Sequence, residues 1–413
     1  MANKNLKSLS FYVVDDDPDV GALVAALLEA NGHTVTVSTD ASKAITEIPN
    51  ARPDAVILDM MMPGIDGLGV IETLKPESSL ADTKFLIVSS KAYEWDKRAA
   101  FERGADGYVT KPIIPEDFIA RINRIFNDTI DMTYWGVRGT LPVTGGRSLN
   151  YGGNTSCLTM EFPKGQFFIF DAGSGIKNLS DHLLRQKRMP MNAKIFITHP
   201  HWDHINALPF FAPLYIQGNE FEILGARHGN ITMREIASAQ MDGVYFPITL
   251  KEFAARVYFR NLEEEVIDVD GIQVTTKLLS HPGKCLGYRV DYHGRSICYV
   301  TDNEMFTEDS AFYNPHYERR LAEFCHGTDI LITDTTYTDE EYKSKVGWGH
   351  SCISKVVDLA HRAEVKNLHL FHHDPDQSDV HIDKKHEIAS KMLSDMDSPV
   401  KCVTPPEGST FRV

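Results

Sequence analysis

Residues 194–204 read KIFITHPHWDH, an apolar run that stops on a cluster of imidazole and carboxylate groups. The run is of strand length. Behind it stand His199, His201, Asp203 and His204, four metal-ligating side chains in one short loop. A closed structural zinc site takes four ligands and often uses cysteine. Imidazole and carboxylate together suit instead a catalytic Zn²⁺, Mn²⁺ or Fe site that keeps open positions. His33, His182, His228, His293, His316, His326, His361, His369, His381 and His386 have no comparable setting and read as surface or hydrogen-bonded residues.

Outward from this loop, strand patterns dominate from Met132 to the end, with helices between them. LTMEF, QFFIFDAG, VTTKLLSH, GYRVDY, RSICYVTD, DILITD and NLHLFHH all read as strands, and Ser354–Ala363 reads as a helix. Many of these strands end on Asp or His: Asp171, His199, His281, Asp302, Asp334 and His372. In sheet-based enzymes chemistry gathers where strands hand over to loops at one rim. His372 and His373 are adjacent, and strand alternation lets only one of them face such a site.

Toward the N-terminus the pattern changes. Short apolar runs (FYVV, TVTV, AVILDM, FLIVSS, GYVTK) are separated by helical stretches, which predicts βα repeats and a parallel sheet. Asn31–Gly32 has the composition of a helix C-terminal cap. The strand ends carry Asp15 and Asp16, Asp59, Ser89 and Lys111, and in a doubly wound sheet such ends converge on one crevice. Carboxylates there suit Mg²⁺, Asp59 is placed to attack a phosphoryl donor, and Ser89 and Lys111 would contact the phosphoryl oxygens. Asp17, ahead of Pro18, reads as a turn residue. The last helix closes near Asn127 and a new pattern opens at Met132, so the junction is short and carries no Gly/Ser or Pro-rich tether.

The quoted segments resemble two known families. VVDDDP, ILDMMMPGIDG, IVSSKA and GYVTKPI are similar to the receiver domain of two-component response regulators, over about residues 8–128. That resemblance implies a flavodoxin-like (βα)5 fold, Asp15 and Asp16 as Mg²⁺-binding acids with Asp59, and Asp59 as phosphoacceptor. It also implies Ser89 and Tyr108 as switch residues, Lys111 as a phosphate contact, and a sensor histidine kinase as partner. The metal loop, with WGVRGTLPV, LNYGGNTSC, FIFDAGSGI, HPGKCLGYRV, YVTDNE, GWGHS and LFHHDPD, resembles the metallo-β-lactamase superfamily. The branch is that of the transfer-RNA 3′-processing nuclease and cyclic-nucleotide phosphodiesterases. The implied fold is an αββα sandwich.

Carried over position by position, His199, His201 and His281 bind one metal. Asp203, His204 and His372 bind a second, with His373 in reserve, and Asp302 bridges the two. The metals implied are two divalent transition ions, Zn first, with Mn or Fe as alternatives. Asp203 is read as catalytic as well as ligating. His350 is the expected proton donor, oriented by Asp334, and Asp171 is expected to support the site from behind. Asn154 is expected to touch substrate or rim backbone. The domains expected are 1–128, the receiver, and 129–413, the hydrolase.

Composition narrows the function. At 413 residues the chain exceeds the usual single-core limit, so two domains are the default. A net charge of −15 disfavours binding to long phosphate backbones, and no basic recognition helix follows the receiver, so DNA is not an expected partner. A small anionic substrate remains compatible, because bound metal ions dominate the local field. Six scattered cysteines with no Cys-x-x-Cys pair fit a reducing compartment. No apolar run is long enough to span a bilayer, and MANKNLKSLS is too polar for a secretion signal. The expected setting is the cytoplasm, without membrane attachment, with a homodimer as one assembly. Tyr245, Phe246 and Phe253 read as core aromatics first and base-stacking groups second. The leading expectation is hydrolysis of a phosphodiester under phosphorylation control. Hydrolysis of a carboxylic ester, lactone or thioester at the same metals is the alternative, with a non-catalytic docking module behind it.

Overall fold

The computed structural model describes residues 8–244 and 246–413. It divides into two compact units. The first is the chain up to Ile130 together with Glu161–Gln166 and Gln186–Asn192, and the second is the remainder.

In the first unit strands and helices alternate: β1 (Ser10–Val14), α1 (Pro18–Glu29), β2 (Thr34–Ser38), α2 (Ala41–Ala51), β3 (Ala55–Asp59), α3 (Gly67–Leu74), β4 (Lys84–Ser89), α4 (Glu94–Glu102), β5 (Gly107–Thr110) and α5 (Pro115–Asn127). The sheet is parallel, in the order β2-β1-β3-β4-β5. Its central strand β3 is buried throughout, as a sheet covered on both faces requires. One face packs Val56, Leu58, Phe85 and Ile87 against α2 and α3. The other packs Val13, Ile57, Leu86 and Val88 against α1 and α5. Asp17, Asp40 and Asp66 cap α1, α2 and α3 by accepting from backbone N–H groups of the first turn. Asp17 is thus the turn residue expected of it. Helix α2 lacks a signal in the sequence reading because Pro49 interrupts it. The proline sits in the last turn, where it ends the helix soon after, and Ala41, Ala44 and Ile48 still form a buried stripe.

Within this unit Glu161 lies between two guanidinium groups. Arg188 binds it through two nitrogens at 2.8 and 3.1 Å, and Arg124 reaches it at 3.0 Å. Arg121 holds Asp117 at 2.8 Å. Burial raises the Glu161 carboxyl, but Arg188 and Arg124 outweigh it and hold the group well below the usual carboxylate range.

The second unit opens with β6 (Asp131–Gly136), β7 (Cys157–Glu161), β8 (Phe167–Phe170), α6 (Gly175–Arg185), β9 (Asn192–Ile197), α7 (Trp202–Ile205), β10 (Glu220–Ala226), α8 (Met233–Ala239) and β11 (Arg256–Leu262). It continues with β12 (Val266–Val269), β13 (Ile272–Leu279), β14 (Cys285–Tyr292), β15 (Arg295–Val300), α9 (Pro315–Cys325), β16 (Ile330–Asp334), α10 (Asp339–Tyr342), α11 (Ile353–Arg362), β17 (Asn367–Phe371), α12 (Asp379–Asp395), β18 (Lys401–Val403) and β19 (Thr410–Arg412). Two seven-stranded sheets result, β11-β10-β9-β8-β7-β6-β19 and β12-β13-β14-β15-β16-β17-β18. Aromatic rings join them. Phe170 and Phe196 of the first sheet meet Tyr288 and Tyr299 of the second at 5.3–5.8 Å between centroids. The far face of the second sheet packs Val300, Leu331 and Leu368 against α9, α11 and α12. The sandwich is the fold expected for this half. Among the described residues, no helix is long and apolar enough to cross a membrane, and all six cysteines are free.

Replacing Arg188 by Met leaves a largely buried carboxylate with one guanidinium partner. We expect a loss of about 1–3 kcal/mol in urea-induced unfolding at pH 7. Because the folded-state pKa of Glu161 is depressed, that stabilisation is present above the ordinary carboxylate pKa and disappears as pH falls through the folded value. Wild type and variant should therefore converge in acid. A difference at pH 7 of less than about 0.5 kcal/mol would refute the assignment.

Candidate metal centre

The ends of β8, β9, β13, β15, β16 and β17 supply Asp171, His199, His281, Asp302, Asp334 and His372. Three of these residues leave their strands in the left-handed region, Asp171 at φ 59°, Asp302 at 53° and His372 at 60°. Non-glycine residues held there cost about 1–3 kcal/mol each. The turn swings each side chain off the strand's alternation toward the rim. Gly139 makes room for one of them, since a Cβ there would lie 2.1 Å from Cε1 of His372.

Asp302 divides its two oxygens. Oδ1 faces Nε2 of His204 and Nε2 of His372, both at 3.1 Å. Oδ2 faces Nε2 of His199 at 3.6 Å and Nε2 of His281 at 3.7 Å. Around the first oxygen, Asp203 Oδ2 lies 3.3 Å from His204 and 3.2 Å from His372. Around the second, His281 Nε2 lies 3.0 Å from Nδ1 of His201. Two groups of donor atoms result, His199, His201, His281 and Asp302, and Asp203, His204, Asp302 and His372, with Asp302 common to both.

These donors fit cations rather than one another. Nε2 of His199 is buried with no hydrogen-bond partner. The facing Nε2 atoms of His204 and His372 stand 3.3 Å apart, with three carboxylates close by. Burial pushes His199, His201 and His281 down toward the neutral, ligating form. Burial also opposes charge on His204, but Asp302, Asp203 and Asp171 outweigh it and push that ring up. For Asp203, and likewise for Asp302, burial raises the carboxyl, and the surrounding imidazoles outweigh it to hold it well below the usual range. Three carboxylates converging on these rings make a field that a divalent cation would neutralise.

The rings are oriented from behind. Asp171 accepts from His204 Nδ1 at 2.8 Å and is itself bound by Thr198 and Tyr299. Thr336 Oγ1 contacts Nδ1 of His372 at 3.1 Å. The Gly349 carbonyl accepts from Nδ1 of His281 at 2.8 Å, which directs Nε2 inward. His350 Nδ1 meets Asp334 Oδ2 at 2.7 Å. Burial disfavours its charged form, but Asp334 outweighs it and His350 is pushed up to about 9. Thr198, Thr336 and Gly349 carry no mark in the sequence as supports. His373 stands apart, buried, with both ring nitrogens unpartnered. Asn154 is committed to Glu407 and Ser174. Phe246 packs on Phe210 and Phe253 on Tyr215, while Tyr245 lies outside the described residues.

In the first unit, Lys111 Nζ reaches Asp59 at 2.6 Å and Asp15 at 3.0 Å. Asp16 is exposed. Ser89 Oγ accepts from the Lys91 amide at 3.1 Å, and Tyr108, turned inward, donates to the Lys91 carbonyl at 2.7 Å.

Residues 11–123 match the family model described as the response regulator receiver domain, and residues 167–373 that of the beta-lactamase superfamily domain. The DNA-binding response regulator MtrA of Mycolicibacterium smegmatis is 36% identical over 110 residues, 27% of this chain and 47% of that protein. The phosphate regulon transcriptional regulatory protein PhoB of Escherichia coli is 34% identical over 113 residues, 27% of this chain and 49% of PhoB. The chain thus spans about half the length of the curated relatives it matches. Among solved structures, the metallo-beta-lactamase fold protein YhfI of Bacillus subtilis aligns with a TM-score of 0.49 at 14% identity, over 69% of this chain and 100% of YhfI. Human tRNase Z, short form, aligns at 0.44 and 19% identity, over 68% of this chain and 98% of that one.

Two donor groups sharing one carboxylate predict about two divalent ions per chain after metal loading. Asp203→Ala and His204→Ala should each lower that content toward one ion, read by elemental analysis. Full metal content with full turnover in both variants would dismiss the ligand set.

Proposed function

The chain belongs to the beta-lactamase superfamily and carries a response regulator receiver domain, and from that premise we propose that it is a metal-dependent phosphodiesterase controlled by phosphorylation of Asp59. The observation that carries the hydrolytic reading is Asp302, whose two oxygens are shared between two sets of imidazole ligands. Two divalent transition ions held there, Zn first among them, would supply an activated water and neutralise charge on phosphoryl oxygens. Asp203 belongs to one ligand set and also accepts from the Thr140 amide at 2.7 Å, which fixes its carboxylate.

The choice of a phosphodiester rests on the likeness of the flanking motifs to the phosphodiesterase branch, and His350 is its proposed proton donor. A leaving alkoxide needs a proton, and general acid catalysis works best from a group that holds one at the operating pH. Asp334 keeps the proton on His350 through neutrality and occupies its Nδ1, leaving Nε2 as the atom that gives the proton up. The substrate proposed is a small anion such as a cyclic nucleotide.

Asp59, beside Lys111, is the proposed phosphoacceptor, with Mg²⁺ on Asp15, Asp16 and Asp59 and a sensor histidine kinase as phosphoryl source. Only three residues separate α5 from β6, and this short junction motivates control of the hydrolase by the receiver.

The experiment is a screen of metal-loaded protein against bis-(p-nitrophenyl) phosphate, cyclic nucleotides, dinucleotides and lactones. Phosphodiester turnover with lactones inert supports the reading, and the reverse pattern overturns it. His350→Ala should cut turnover on poor leaving groups by about 10²–10⁴-fold and spare activated esters. Because His350 is raised, turnover on poor leaving groups should be full near neutrality and fall as pH rises through about 9.

Acetyl phosphate with Mg²⁺ should label wild type but not Asp59→Asn, and labelling should change turnover of the wild type alone. Equal labelling would move the phosphosite. Equal turnover with labelling confirmed would remove direct control of catalysis.

A further inference from the structure

Two residues beyond Asp302 stands Glu304, a buried carboxylate that the hydrolytic chemistry described above does not use. Burying a carboxylate is costly unless its oxygens are satisfied, and both of these are. Oε1 accepts from the Tyr342 hydroxyl at 2.8 Å and from the Gly347 amide at 2.7 Å. Oε2 accepts from the Gly349 amide at 2.7 Å. All three donors come from one stretch of chain, the end of α10 and the glycine turn that leads into His350.

From within, that turn is closed by the Lys345 carbonyl, which accepts from the Trp348 amide at 3.1 Å, but neither glycine amide is used there. Gly347 and Gly349 both have positive φ, 87° and 88°, a conformation that glycine adopts freely and equally leaves freely. Gly349 also admits no side chain, since a Cβ there would lie 2.4 Å from Nδ1 of His281. The contacts that take up the glycine amides come from the loop after β15. Glu304 takes the two glycine amides. Just beyond, the Ser351 hydroxyl donates to the Asn303 carbonyl and accepts from the Met305 amide at 3.1 Å. The loop that carries Asp302 is thus laced to the loop that carries His350.

The lacing acts on two reacting groups at once. The Gly349 carbonyl is the acceptor that orients His281, and the next residue is His350, whose ring lies 5.3 Å from that of His281. We propose that Glu304 is a positioning residue: by holding the Gly347–Gly349 amides it sets His281 toward its metal and His350 toward the leaving group. This rests on the phosphodiesterase reading for its catalytic half only. The structural half, that the carboxylate fixes the turn and the His281 ring, stands without it.

The test uses full-length, metal-loaded protein and Glu304→Gln, in which an amide NH₂ replaces one accepting oxygen. Tyr342→Phe is the milder partner, removing one donor while leaving the carboxylate intact. Amide hydrogen exchange over residues 342–351 should be at least about tenfold faster in Glu304→Gln, with Tyr342→Phe intermediate. The visible spectrum of the cobalt(II)-loaded protein should shift as His281 reorients. Turnover on a poor leaving group should fall by about 10²-fold, the scale of an ångström's misplacement, with KM changed less than threefold and bis-(p-nitrophenyl) phosphate affected much less.

Unchanged exchange and an unchanged cobalt spectrum in both variants would overturn the proposal. So would faster exchange with equal turnover on both substrates, since the turn would then be pinned without consequence. If Glu304→Gln fails to fold, Tyr342→Phe decides by the same readouts. If wild type hydrolyses no phosphodiester, the phosphodiesterase reading fails, and exchange and cobalt spectrum still decide whether Glu304 positions His281.

Discussion

Everything at the rim of the second unit is arranged around one constraint: a single carboxylate, that of Asp302, serves two groups of imidazoles at once. Its oxygens face His204 and His372 on one side and His199 and His281 on the other, at 3.1–3.7 Å. That geometry demands ligands from both sheets, because His199 and His204 follow β9 while His281, Asp302 and His372 follow strands of the other sheet. The sandwich must therefore bring two sheet edges into register to within a few tenths of an ångström. The ring packing of Phe170 and Phe196 on Tyr288 and Tyr299 does this directly beneath the site. Tyr288 adds a hydrogen bond from its hydroxyl to the Ile197 carbonyl at 2.7 Å, two residues before His199.

A shared ligand is useful only if its neighbours cannot rotate away. Each imidazole presents one nitrogen inward, and for His204, His281 and His372 the other nitrogen is taken by a fixed partner: Asp171, the Gly349 carbonyl and Thr336. A carbonyl accepts only, so His281 must donate from Nδ1 and offer its Nε2 lone pair to a cation. The strained backbone at Asp171 and His372 carries two of these contacts, and Asp302 leaves its strand in the same left-handed region. Three left-handed turns would relax if the site were only a loop cluster; here the hydrogen bonds and the packed sheets over-determine them.

How much of this was legible in the sequence follows from locality. The loop His199–His204 declares itself because four donors fall within six residues. His281, Asp302 and His372 are far apart in the chain and become legible only as strand-terminal residues of a resembling family. The ten receiver elements follow from alternating periodicity, except α2, where Pro49 hides an amphipathic helix. Strands β10, β11, β12, β18 and β19 are missing from the sequence reading as well; β11 and β12 are edge strands with Tyr258 and Val266 exposed, and edge strands of that kind lack a clean apolar pattern. Among the supporting groups, Asp171 and Asp334 are legible as strand-terminal acids, and the others leave no trace. Thr198, Thr336 and Glu304 are ordinary polar residues whose importance lies in what folds against them. Glu304 closes the YVTDNE segment, and nothing marks it there as the acceptor for three converging donors.

The two units meet the same physical problem, buried carboxylates that must stay ionised, and answer it differently. At the receiver crevice one ammonium suffices: Lys111 lies 2.6 Å from Asp59 and 3.0 Å from Asp15. Burial works against that charge, but the two carboxylates outweigh it and push the lysine up. A flexible four-carbon stem can follow the charge it compensates. It can therefore stay with either carboxylate as their positions change. At the hydrolase rim the compensation is by imidazoles locked from behind, which cannot follow anything. Such a set is built for a charge that does not move, a bound cation, and for a substrate that arrives at it. A flexible ammonium tolerates a site whose charge varies, and fixed rings suit a site whose charge does not.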